Sequence, residues 1–219
     1  MAAQSRVNSL VVLGTPVVGV LALAVWLGTP QMQPPALGAA GWMIALALRQ
    51  PVALVASRVT TTDCVTTVVG LASGPAEKIV RLLLVLLFLR TTTSAAWAGA
   101  GWMTIEVAMI TVNGLMIASM LTKDDPKSRE TKAFLTEQGM MQNHGPGWGV
   151  LERFSAASLH LGFTLLVFAQ PWLVPATIVV HSATNMLAVR CAKRSIARTE
   201  LAVLAIAVAV LAAGIVISS

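Results

Sequence analysis

Apolar runs of about twenty residues, separated by short polar or proline-containing connections, recur along the whole chain of 219 residues. The runs are built mainly from Leu, Val, Ala and Ile, and a helix of that length crosses a hydrocarbon layer ~30 Å thick. None shows the alternating pattern, with a period of roughly ten residues per strand, of a membrane barrel. The pattern predicts a single polytopic all-α bundle over residues 1–219, with seven spans at about 9–28, 36–57, 66–89, 94–121, 147–169, 171–189 and 199–217. Pro34-Pro35 marks the first turn, Arg58 and Asp63 the second connection, Arg90 the third, and Gln170-Pro171 a tight turn. Residues 123–146 read as a polar loop, and Arg190, Lys193, Arg194 and Arg198 crowd the last link.

Two spans depart from plain lipid-facing helices. Gly74-Pro75 falls inside the third and predicts a break there, because proline removes a backbone donor. The fourth opens with AAWAGAGW at 95–102, whose small residues predict a close approach by a neighbouring helix. No internal repeat is visible, which argues against an inverted-repeat transporter. The first run, Leu10 to Leu27, has no A-x-A-like site after it and reads as a retained span.

Composition agrees with the pattern. The chain is 56% hydrophobic and 11% charged, with a mean hydropathy of +0.79, well beyond what a soluble core needs. The net charge of +6 sits mostly in loops and tails, so it is read as a topology signal and not as a nucleic-acid surface. Placing the basic last link in the cytoplasm puts the N-terminus and the 123–146 loop there too, in a multi-pass protein of a prokaryotic plasma membrane. Cys64 and Cys191 have no metal-ligand spacing and are read as unpaired.

Polar groups lie deep inside the oily runs: Glu77 in AEKIVRLLL, Glu106 in WMTIEVAMI, His160 in ERFSAASLH and His181 in IVVHSATN. A charge at such depth costs roughly 2.5 kcal/mol or more, so these groups predict a functional site. Glu77 and Arg81 are four apart and could pair on one helix face. Glu106 shares a stripe with Asn113 and, having no cation in its own span, must be protonated or face a polar cavity made with other helices. Glu152 and Arg153 lie nearer a helix end, and His181 with Asn185 forms H-x-x-x-N on one face, a turn after Thr177. A carboxylate to take a proton from water, a His to orient it, and a His and Asn for an oxyanion are the parts of a hydrolase. The same Glu77, His160 and His181 could bind Zn²⁺. No H-E-x-x-H and no G-x-G-D occurs, and Ser73 in GLASG is not in a G-x-S-x-G elbow. His144, beside Gly145-Pro146, reads as a solvated loop residue.

Taken in order, SGPAEKIVRLL, AGAGWMTIEVAMI, ERFSAASLH and HSATN resemble the four blocks of the YhfC-type membrane peptidases, relatives of the PrsW and CAAX-prenyl proteases, which are glutamic-type intramembrane enzymes. The resemblance covers about residues 66–190. It implies that Glu77 activates water with Arg81 as its basic partner, that Glu106 forms the second block, and that Glu152, Arg153 and His160 form the third. His181 with Asn185 would then assist water activation and oxyanion stabilisation. Where the family block carries a second acid, this chain has Lys78. The expected function is an intramembrane endopeptidase that hydrolyses a membrane-embedded or lipidated peptide substrate, in contact with the lipid bilayer. The alternatives are an inactive homologue serving as a membrane subunit or scaffold for a protein partner, and a small transporter relaying protons through Glu106 and the histidines.

Overall fold

The computed structural model describes residues 2–137, 145–192 and 194–219, and among these there is helix and no strand. His144, and Lys193 of the basic link, lie outside the described residues. The chain runs through α1 (Ala2–Val11), α2 (Gly14–Leu27), α3 (Gln33–Val59), α4 (Thr62–Leu87), α5 (Thr92–Leu121), α6 (Pro126–Glu137), α7 (Pro146–Ala169), α8 (Val174–Cys191) and α9 (Ile196–Ser218). A short 3₁₀ turn, Pro171–Leu173, joins α7 to α8 where the tight turn is predicted.

Six helical segments among the described residues are long and apolar enough to cross a membrane: Ala3–Leu27, Gln33–Val59, Thr92–Leu121, Pro146–Ala169, Pro171–Cys191 and Ile196–Ser218. The remaining predicted span, α4, has the length at 26 residues, but Glu77, Lys78 and Arg81 fall close together and lower its apolarity. Its charges face inward: Glu77, Lys78 and Arg81 are all buried, while Ile79, Leu83 and Leu86 are exposed. Large apolar side chains such as Val25, Val59 and Val216 likewise point outward, as suits a multi-pass membrane protein whose surrounding solvent is lipid.

Helix α7 is the most enclosed of the candidate spans and packs against α5 and α9. The AAWAGAGW segment of α5 does what its small residues predict. A side chain at Gly101 would run into the Pro35 backbone of α3, and one at Gly38 into the Ala98 carbonyl. Trp97, Ala98 and Met103 then form the main apolar core with Leu23, Val85 and Leu165.

Three expectations are corrected. Helix α4 passes unbroken through Pro75. Proline at 75 leaves the Leu71 carbonyl without its helical donor, and the Ser182 hydroxyl of α8 donates to that oxygen at 3.2 Å. Gly74 allows this approach, since a Cβ there would meet Ser182 and the Ile178 carbonyl. Pro34 and Pro35 do not form a turn; they lie in the first turn of α3, where a missing N–H costs nothing. The 123–146 segment also contains a helix, α6. Its start is set by Asp125, whose carboxylate accepts from the Ser128 N–H at 3.0 Å and the Ser128 hydroxyl at 2.8 Å. Those bonds hold the Asp125 carboxyl below the usual range, the hydroxyl contributing most. Cys64 and Cys191 are both free thiols.

Candidate functional site

Six helices send polar side chains into one cavity of about 330 Å³. From α3 come Trp42 and Arg49, from α4 Glu77, and from α5 Glu106; α7 adds Glu152, Arg153 and His160, α8 adds His181 and Asn185, and α9 contributes Glu200. Of the residues predicted from sequence, Glu77, Glu106, Glu152, Arg153, His160, His181 and Asn185 line this space together. Arg81 does not line it, and Asn113 is exposed on α5.

Glu77 is the hub. Its Oε1 lies 3.5 Å from Arg49 Nη1 and 3.7 Å from His181 Nε2, and its Oε2 lies 3.8 Å from His160 Nδ1. The Arg49 contact is an ion pair, and the two ring nitrogens lie beyond direct hydrogen-bond distance. Oε2 is buried and has no hydrogen-bond partner among the described residues.

The imidazole protons follow from the neighbours. Arg81 Nη2 lies 3.2 Å from His160 Nδ1, and a guanidinium can only donate. Nδ1 is therefore the acceptor and the His160 proton sits on Nε2, which meets Glu106 Oε2 at 2.5 Å. Arg81 also donates to the His160 carbonyl at 2.9 Å and stacks on Trp102, its carbon 4.3 Å from the ring centre. The predicted Glu77–Arg81 pair is thus replaced: Arg81 reaches across to α7 and Glu77 pairs with Arg49 instead. The Arg81 chain is long enough to pass the carboxylate and bridge to the next helix, where it finds a carbonyl and a ring nitrogen together.

His181 is held in the same way. Lys78 Nζ lies 3.0 Å from His181 Nδ1 and 3.7 Å from the centre of the Phe163 ring. With the Lys78 amino group donating, the His181 proton lies on Nε2, facing Glu77. Lys78 thus acts as the clamp on a histidine.

Glu106 is fully engaged. It accepts from Trp42 Nε1 at 3.1 Å and Arg153 Nη1 at 3.0 Å besides His160. This is the polar surrounding, shared with other helices, that a carboxylate without a cation in its own span requires. Arg153 also pairs with Glu152, whose side chain is half-exposed. Asn185 Nδ2 donates to the Ser73 hydroxyl at 2.7 Å, and that hydroxyl donates to the Gly70 carbonyl at 2.7 Å. Ser73 therefore has no base beside it and serves as an anchor for Asn185. Thr177 turns back to the Val174 carbonyl and takes no part.

Arg49, Trp42, Lys78 and Glu200 are absent from the sequence-derived site. Arg49 carried a signal: it is a charge inside the predicted 36–57 span, the same mark that singles out Glu77 and Glu106. Trp42, seven residues before it on the same face, carried none. No family model, curated protein or solved structure matches this chain.

Proposed function

We propose that the protein is an intramembrane endopeptidase, in which Glu77 activates a water for attack on a peptide carbonyl. The observation that carries this reading is the buried Glu77 carboxylate, one oxygen unpartnered, facing two ring nitrogens across 3.7 and 3.8 Å in a polar cavity. A water held there can lose a proton to Glu77 as its oxygen bonds to the carbonyl carbon. The charge that develops on the carbonyl oxygen meets the Arg49 guanidinium and the His181 Nε2–H, with the second amide hydrogen of Asn185 available beside them. Collapse breaks the C–N bond, and the proton on Glu77 passes to the leaving amine. His160, fixed by Arg81 at Nδ1 and by Glu106 at Nε2, bounds the space in which that water sits.

The reading routes no step through a metal. Zn²⁺ on Glu77, His160 and His181 would need the Nδ1 of His160 freed from Arg81, and would enter a cluster that already holds Arg49, Lys78, Arg81 and Arg153. Metal ligands of this type bind as neutral imidazoles with an open lone pair, and nearby fixed cations oppose the added charge.

We also read the N-terminus as cytoplasmic, because the exposed Arg190, Arg194 and Arg198 lie around the α8–α9 link.

A second reading, an inactive membrane subunit, is favoured by one feature: Glu77 already has Arg49 as a counter-ion, as a structural ion pair would. Purified protein in proteoliposomes, incubated with apolar helical peptides and analysed by mass spectrometry, separates the two. Cleavage by wild type that is lost in Glu77→Ala and His160→Ala supports the peptidase. Full activity in both variants would sink it, and a stoichiometric partner retained by Glu77→Ala without any turnover would favour the subunit.

A further inference from the structure

Glu200 is a buried acid that the hydrolytic scheme does not use. It is only 6% exposed, and its Oε2 is buried with no hydrogen-bond partner among the described residues. It sits one turn into α9, so α9 need not carry it for topology, and the bulk of that helix is purely apolar. It lines the central cavity and also a second cavity of about 280 Å³ at the end of the bundle. That outer space is bounded by Asn8 and Ser9 of α1, Trp148 and Gly149 of α7, and Ile196 of α9, with Glu152 shared between the two. Glu152 and Glu200 therefore stand where the outer space meets the inner one.

The charges along this path are uneven. At the inner end Glu77 is set among Arg49, Lys78 and Arg81. At the outer end Arg153 bridges Glu106 and Glu152, and Glu200 stands beside them without an ion pair among the described residues. Three acids thus stand beside one cation at the mouth, and the orphaned oxygen of Glu200 is the unsatisfied part of the group. The arginines of the α8–α9 link are exposed and do not line either cavity. A buried, unpaired carboxylate is costly unless a cationic donor joins it.

Resting on the peptidase reading, we propose that Glu200 and Glu152 form a subsite for a basic side chain of the substrate peptide. The spacing sets where that side chain falls. Eight residues of α7 separate Glu152 from His160, an axial rise of about 12 Å. An extended peptide covers that in about three or four residues. The subsite therefore selects a Lys or Arg about three or four residues from the scissile bond, at the end of an apolar segment.

The test uses full-length Glu77→Gln protein in lipid nanodiscs, so that binding is read without turnover. The probes are fluorescent peptides of one apolar helix carrying a Lys pair or a Gln pair at its end. The Lys peptide is expected to bind about tenfold more tightly, and Glu200→Gln is expected to reduce that preference to about twofold or less. Glu152→Gln, at a half-exposed position where folding is not at issue, is expected to reduce it in the same direction. Equal binding of the two peptides, or a preference untouched by both substitutions, overturns the subsite. The two readings fail separately. Cleavage by wild type without charge preference removes the subsite and leaves the peptidase, whereas charge-selective binding without any cleavage removes the peptidase and leaves the subsite.

Discussion

The Nε2 of His160 lies 2.5 Å from the Glu106 carboxylate, on the opposite edge of the ring from Glu77. In the proposed mechanism Glu106 therefore acts through His160 and not on the water. It fixes the tautomer, and with Arg81 at the other nitrogen it leaves the ring one orientation.

Removing that charge tests the relay. Glu106→Gln is expected to lower kcat at least about tenfold, roughly 1.4 kcal/mol of transition-state stabilisation, with KM nearly unchanged. Arg153 loses its buried counter-ion in the same variant, so stability is expected to fall as well, by up to about 3 kcal/mol. Steady-state kinetics and thermal unfolding of the detergent-solubilised protein read the two effects. A rise in KM alone would place Glu106 in substrate binding.

Lys78 is expected to position His181. Lys78→Met keeps the length and the contact with Phe163 but leaves His181 Nδ1 without a donor. Nitrogen NMR of labelled histidine is expected to show the single His181 tautomer give way to a mixture. The fold is expected to lose about 1–3 kcal/mol. An unchanged His181 spectrum contradicts the assignment.

The proline in α4 makes a double-mutant cycle available. Ser182→Ala is expected to destabilise the wild-type protein by about 1 kcal/mol, because the Leu71 carbonyl loses its donor. In a Pro75→Ala background the restored backbone N–H reaches that oxygen, and the same substitution is expected to have a smaller effect. Equal losses in the two backgrounds would mean that Ser182 does not serve the gap left by Pro75.

Helix α6 is expected to loosen in acid. The Asp125 carboxyl is held below its ordinary value near 3.8 by the Ser128 hydroxyl and N–H, so its contribution is present above that value and is lost as pH falls through the lower, folded one. Hydrogen-exchange protection of α6 amides, corrected for intrinsic rates, is expected to drop between about pH 5 and pH 2.5. Asp125→Asn, which keeps a capping oxygen without a titrating charge, is expected to show no such step.

The helical bundle was legible because lipid imposes one rule everywhere: long apolar runs and satisfied backbone. The meeting of Glu77, Glu106, His160 and His181 was legible for the same reason, since each is costly alone at its depth. What could not be read was which charge meets which. Glu77 and Arg81 share a helix face, yet the pair forms between Glu77 and Arg49, which are on different helices and 28 positions apart. Helical periodicity reports faces and says nothing of which neighbouring helix each face meets. The break expected at Pro75 failed likewise, because the compensating group, Ser182, lies far along the chain on α8. Helix α6 was missed because its polar sequence has the period of a solvated loop, and only the Asp125-Pro126 start marks it.

The role of Glu77 as the base that activates water is tested most directly by the initial rate of peptide cleavage in proteoliposomes for wild type and Glu77→Gln. Gln is close to Glu in size and keeps one acceptor oxygen but cannot take a proton. With thermal unfolding as the check on folding, the predicted result is a folded variant whose cleavage rate falls at least about a thousandfold, some 4 kcal/mol. A folded Glu77→Gln protein that cleaves at the wild-type rate would contradict the account.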